Sequence, residues 1–182
     1  MFPTWDSTLF RIINTNHLDQ LDLIMILLSN KFIWIPLYLF IIKKLYDQYK
    51  KEVWKSILFL LSTILLADQV SSSVLKPLFK RLRPCHVDAF QSWIHLPDGC
   101  GGMYGFCSSH AANSFGLAIA IYLITKNKWA GAILFSWACC ISYSRIYLGA
   151  HYPIDVFVGA LIGIMSSLVL KRVLYDRLIK KS

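Results

Sequence analysis

The chain has 182 residues, 56% of them hydrophobic and only 16% charged, and its mean hydropathy is +0.52. A soluble domain carries about 25% charged residues, so this composition excludes an ordinary soluble globule and points to a membrane. The net charge of +9 does not imply nucleic-acid binding, because the basic residues alternate with long apolar runs and build no soluble basic face. In a membrane protein such charge belongs to cytoplasmic loops or to an anionic substrate site.

Residues 1–16 include Asp6, Arg11 and scattered polar side chains, without the apolar core or small-residue cleavage site of a signal peptide. Insertion is therefore expected to rest on the first membrane helix. Within this stretch Trp5, Leu9, Ile12 and Ile13 recur at a spacing that suits a short helix lying in the membrane interface. Apolar runs follow at 21–42 (interrupted near Asn30 and Lys31), 53–75, 111–125 (starting earlier, at Ser108), 129–147 and 154–174. Each approaches the roughly 20 residues that cross about 30 Å of hydrocarbon, with 111–125 marginal and the first run weakened by Lys31. The expected fold is all-α: a polytopic transmembrane helical bundle of five spans, or six if the N-terminal stretch merges with the next, forming a single membrane-embedded domain over 1–182.

Loop charges give an orientation. Lys43, Lys44, Lys50, Lys51 and Lys55 follow the first run, Lys126 and Lys128 follow the third, and Lys171, Arg172, Arg177, Lys180 and Lys181 close the chain. With five spans these three groups share one side, which is then cytoplasmic. Residues 76–107 and 149–153 face outward, including the turn-rich Pro97, Asp98, Gly99, Gly101 and Gly102. The outward segment nevertheless carries Lys76, Lys80, Arg81 and Arg83. Either they contact head groups, or they stand there for an anionic ligand such as phosphate.

Three polar clusters fall at membrane ends on that outward side. Lys76 and Arg83 supply charge, and Arg83 adds a planar fork for phosphate oxygens, although a juxtamembrane pair commonly serves head groups. Ser108 and Ser109 open an apolar helix, where serine caps the first turn and free N–H groups hold an anion; His110 follows them. Arg145 ends the fourth span. Ser144 precedes it, and His151 and Asp155 are four residues apart, which places them on one helical face if the helix begins near His151. A carboxylate on one imidazole nitrogen fixes the tautomer and leaves the other free to attack; the plainer reading is an interfacial ion pair. The five histidines are His17, His86, His95, His110 and His151, and neither an HExxH nor a paired CxxC pattern is present, so no metal or other cofactor is expected.

Together these clusters resemble the motifs of the type 2 phosphatidic acid phosphatase superfamily, which also includes vanadium haloperoxidases. The pattern K-x6-R-P reads Lys76 to Arg83–Pro84, P-S-G-H reads Cys107-Ser108-Ser109-His110, and S-R-x5-H-x3-D reads Ser144-Arg145, His151 and Asp155. Three spaced motifs are far more specific than one. Cys107 stands where the family has proline and Ser109 where it has glycine, whose missing side chain eases backbone approach to phosphate. The resemblance implies that His151 attacks phosphorus, Asp155 orients it, His110 serves as acid and then base, and Lys76, Arg83, Arg145 and the Ser108 and Ser109 donors hold the phosphoryl oxygens. It implies a metal-independent lipid phosphatase with a lipid phosphate as substrate and membrane lipids around it, and calls for no nucleic acid and no obligate protein partner.

Among short bacterial members undecaprenyl diphosphate is the first expectation. Phosphatidylglycerol phosphate, phosphatidic acid and the phosphates of lipid A are the alternatives, with His86, Trp93, His95 and Tyr104 as loop residues that influence the choice. A lipid phosphotransferase shares the chemistry, and an anionic-lipid transporter or scaffold is the non-enzyme rival. The expected location is a bacterial inner membrane with the site on the periplasmic face. There Cys85 and Cys100 are the preferred disulfide, with free thiols at Cys85, Cys100 and Cys107 as the other reading; Cys139 and Cys140 are expected to pack inside span four.

Overall fold

The structure, a computed structural model, describes residues 2–180 and is all-α, arranged as six helical rods. Lys181 of the basic tail lies outside the described residues. Helix α1 (Thr4–Thr15) turns Asp6, Phe10 and Asn14, spaced by four, into the protein, while Trp5, Leu9 and Ile12 remain exposed. At 12 residues it reaches about 18 Å, too short to cross hydrocarbon, and the chain turns at 16–18 before α2 (Asp19–Ser29). The expected interruption near Asn30 is a turn of 3-10 helix, Lys31–Trp34, whose entry is held by the Asn30 side chain accepting from Phe32 N. Beyond it runs α3 (Ile35–Tyr49), so the first apolar run is a broken rod.

The chain reverses over Lys50–Glu52, with Lys50 at φ 49°, into α4 (Val53–Asp68). This rod continues through a π-helical stretch, Gln69–Leu75, into the short α5 (Lys76–Phe79). After the loop come α6 (Ser109–Thr125), α7 (Lys128–Tyr147) and α8 (Pro153–Leu170). The last of these extends through Lys171–Tyr175 into α9 (Asp176–Lys180).

Helix α6 is the centre of the bundle. Ten of its residues are buried, as befits a helix apolar on all sides, and α4, α7 and α8 pack around it. Its contact with α8 is close enough to demand glycine: a Cβ on Gly159 would meet Ser108 O at 2.3 Å, and one on Gly163 would meet Ala112 O at 2.1 Å. Ser167 Oγ donates to Gly116 O across the same crossing at 2.8 Å. Small residues let two helix backbones approach in this way, and here the approach brings the start of α6 against the start of α8.

Outward faces are apolar. On α8, Asp155, Val156, Gly159 and Gly163 point inward while Phe157, Leu161, Met165 and Leu168 are exposed, a pattern that requires an apolar surrounding. The helical stretches Lys31–Phe79, which folds back at residue 50, and Pro153–Leu178 are long and apolar enough to cross a membrane; Ser109–Thr125 is apolar but shorter. Cys139 and Cys140, expected to pack inside, are exposed instead, because Ala138, Ile141 and Ser142 take the inward face of α7.

Candidate active site

The loop over 80–108 folds back on itself through an antiparallel bridge between Leu82 and Tyr104. Arg83 N donates to Met103 O at 3.0 Å and Gly105 N to Arg81 O at 2.8 Å. Cys85 and Cys100 form a disulfide with a Cα separation of 5.8 Å, which closes this loop. Gly101 lies so near Arg83 that a Cβ would meet Nη1 at 2.7 Å, and a Cβ on Gly105 would meet Asp155 Oδ2 at 3.2 Å. The loop therefore covers the ends of α6 and α8, where the polar clusters lie.

Helix α6 starts at Ser109, capped by Ser108 Oγ, which accepts from Ala111 N at 3.4 Å. The N–H of Ser108 is already committed to Asp155 O at 2.9 Å. It cannot also serve an anion, which corrects the expectation for that residue's backbone and leaves the first-turn N–H groups of Ser109 and His110 for the task. Ser109 Oγ, the side chain where the family has none, accepts from Lys76 Nζ at 2.9 Å and lies 2.7 Å from Ser72 Oγ. It anchors the lysine.

Lys76, Arg83 and Arg145 lie close enough for their charges to act on one another, and all three act on the imidazoles of His110 and His151. The sequence motifs, separated by as many as 79 positions, thus converge on one centre. Three half-buried cations repelling each other are unfavourable unless an anion joins them. Arg145 is turned toward Ser29, to whose Oγ it donates, and borders a small cleft with Asp98 and Gly101.

His151 sits in the turn ahead of α8, not in the helix as the spacing supposed, and is buried. Its Nδ1 lies 3.6 Å from Asp155 Oδ2, near but beyond hydrogen-bond length, and has no hydrogen-bond partner. Burial, with Arg145, Arg83 and Lys76 behind it, holds this imidazole well below its ordinary value and so neutral, against a smaller upward pull from the Gly105 backbone. Cys107 is buried, and its thiol is pushed up to about 11 chiefly by that burial, so it stands in the proline position as a neutral group.

Asp155 is fully buried and bound on both oxygens: Oδ2 accepts from Tyr152 N at 3.1 Å and Oδ1 from Arg81 Nη1 at 2.6 Å. Arg81, which the sequence left between head-group contact and an anionic ligand, is spent elsewhere. Its Nη2 donates to Asp6 Oδ2 at 2.5 Å, and its guanidinium lies between the rings of Phe2 and Tyr152 at 3.9 and 3.7 Å. Asp6 Oδ1 in turn accepts from Ile154 N, in the first turn of α8, at 2.9 Å. A chain Asp6–Arg81–Asp155 thus ties α1 to the site. Nothing in the sequence signals it, since Asp6 and Arg81 are 75 positions apart.

The loop residues divide. Lys80 is exposed. Trp93 packs on Phe10 and under Arg11, and His95 bonds Asp22 at 2.8 Å with its ring stacked on His17; both fasten the loop to α1 and α2. His86 reaches Gly101 O at 3.0 Å, and Tyr104 offers its carbonyl to Arg83 Nε at 3.3 Å.

This set of three cations and two histidines at the start of two glycine-crossed helices is the geometry of a phosphate-handling membrane enzyme. Residues 55–179 match the PAP2 superfamily, and the chain belongs to it: it is a lipid phosphatase of a metal-independent family. It is 38% identical over 164 residues to a Lipid A 4'-phosphatase of Bacteroides thetaiotaomicron, covering 87% of this chain and 72% of that protein. It is 28% identical over 158 residues to an Undecaprenyl-diphosphatase of Sulfolobus acidocaldarius, covering 85% and 71%. Among solved structures it resembles Aquifex aeolicus LpxE, with a TM-score of 0.73, 28% identity, and coverage of 93% of this chain and 96% of that one.

Proposed function

We propose that the whole chain, 1–182, is a five-span membrane phosphatase that removes the 4'-phosphate of a lipid A-type glycolipid, with its site on the outer face of the membrane. Helix α1 lies in the interface instead of forming a sixth span. His151 attacks phosphorus through Nε2, forming an N–P bond as the P–O ester bond breaks. His110, which takes up a proton as the bound phosphate offsets the three neighbouring cations, gives that proton to the departing sugar oxygen. It then takes a proton from water, whose oxygen attacks the phosphohistidine and releases inorganic phosphate and free His151. Asp155 faces the Nδ1 side of His151 and stabilises the positive charge that the ring carries as phosphohistidine. Lys76, Arg83, Arg145 and the N-terminal donors at Ser109 and His110 hold the equatorial oxygens, where charge gathers.

The observation that carries this reading is the convergence of Lys76, Arg83 and Arg145 on His110 and on a buried neutral His151. The greater identity to the Lipid A 4'-phosphatase favours a glycolipid phosphate over undecaprenyl diphosphate, the first expectation from sequence. The weaker match to a diphosphatase makes the diphosphate the second reading. Phosphate release from purified protein given lipid A, phosphatidylglycerol phosphate, phosphatidic acid and undecaprenyl diphosphate tests it. Lipid A is expected to be cleaved fastest, losing its 4'-phosphate. Faster release from the diphosphate would transfer the assignment, and release from none would end the phosphatase reading.

A further inference from the structure

A cavity of about 370 Å³ opens beside His110 and runs between α3, α4, α6 and α7. Because His110 is the group assigned to protonate the leaving oxygen, the leaving part of the substrate enters here; the inference therefore rests on the phosphatase reading above. Its lining combines the apolar side chains of Ile64, Leu117 and Ile141 with a polar collar of Asp68, Asn113 and Trp137. Asn113 Nδ2 donates to Asp68 Oδ1 at 3.2 Å. The other amide atom, Asn113 Oδ1, and the indole Trp137 Nε1 are buried without a hydrogen-bond partner. Buried polar atoms are almost always satisfied, so two orphans on side chains that line one cavity point to a ligand that completes the bonding.

The chemistry of the collar selects that ligand. Asp68 and Asn113 Oδ1 accept, so they call for hydroxyl or amide N–H donors; Trp137 Nε1 donates, so it calls for a hydroxyl or carbonyl oxygen. An N-acylated sugar carries all of these in its hydroxyl and amide groups, with acyl chains suited to the apolar part of the lining. A diphosphate leaves as a phosphate anion, which offers acceptors and sets negative charge against Asp68. Lys76, whose charge also acts on Asp68, is engaged with the transferred phosphoryl group in the scheme above, and Lys31 is exposed at the rim with its ammonium 5.2 Å from the centre of the Phe32 ring. We propose that Asp68, Asn113 and Trp137 form a leaving-group subsite for the hydroxyl and amide groups of an N-acylated sugar, and that this subsite turns the enzyme toward phosphate monoesters and against diphosphates.

The test measures kcat and KM for phosphate release from a lipid A-type monophosphate and from a polyprenyl diphosphate, with the full chain in detergent. Asp68→Asn, which keeps shape and loses charge, is expected to raise KM for the monophosphate about tenfold with kcat little changed, and to leave the diphosphate rate unchanged or higher. Trp137→Phe, a second variant that keeps a ring and loses the N–H, is expected to raise KM for the monophosphate alone by a few-fold. Equal losses on both substrates, or no change on either, would overturn the subsite while leaving the phosphatase standing. Wild-type protein that releases phosphate from neither substrate would instead overturn the phosphatase reading itself.

Discussion

His151→Ala is expected to lower phosphate release by on the order of 10⁴-fold or more while the protein remains folded, because the proposed scheme assigns the covalent intermediate to this imidazole and His110 to proton transfer. The side chain is buried but lies in a turn ahead of α8 and makes no hydrogen bond through Nδ1, so its loss strands no partner of that nitrogen. Substrate affinity should persist, since Lys76, Arg83 and Arg145 are untouched. Turnover in the wild type should also carry a signature in pH. The folded-state value of His151 is depressed below its unfolded value of about 6.5, so the folded protein resists protonation there and keeps the nucleophile neutral through mildly acidic pH. The corresponding stability is fully present above about 6.5 and is lost as pH falls from there toward the folded value. Retention of most activity in His151→Ala would remove the nucleophile assignment.

Arg81→Met is expected to be the most damaging change outside the reacting groups. It removes the cation between Asp6 and Asp155, both fully buried, and stranding buried charge costs about 3–5 kcal/mol. For a chain of this length that lowers Tm by on the order of 10 °C. The milder Asp6→Asn distinguishes a structural tie from a positioning one. It keeps the shape, leaves Arg81 bonded to Asp155, and alters the net charge behind His151. A positioning role predicts a lower kcat with KM held and a displaced acid limb of the pH profile in protein that is still folded. A merely structural role predicts a lower Tm with kcat unchanged.

These residues also show what can be read from a sequence of this kind. Lys76, Arg83, Ser109, His110, Arg145 and His151 were legible because their spacing follows the family motifs, and the structure brings them to one end of the bundle. The break at Asn30 was legible from a charge inside an apolar run. The role of Arg81 was not legible, because a cation's partner is decided by folding and not by its neighbours in the chain. The use of Ser108 N–H was hidden for a related reason: it depends on the α6–α8 crossing, which rests on Gly159 and Gly163 and not on any chemical motif. Cys139 and Cys140 were expected to pack as small apolar residues, and the apolar character of a side chain does not separate a lipid-facing surface from a protein core. The Asp68–Asn113 pair was invisible because an aspartate and an asparagine 45 positions apart carry no periodic signal.

In the proposed scheme the phosphate is carried covalently on His151. Rapid quenching of wild-type protein with a lipid A-type substrate labelled in its phosphate should trap a base-stable, acid-labile phosphoenzyme, with the label on the peptide containing His151 and absent from His151→Ala. A label on another residue, or full turnover with no trapped phosphoenzyme at any quench time, would contradict the account.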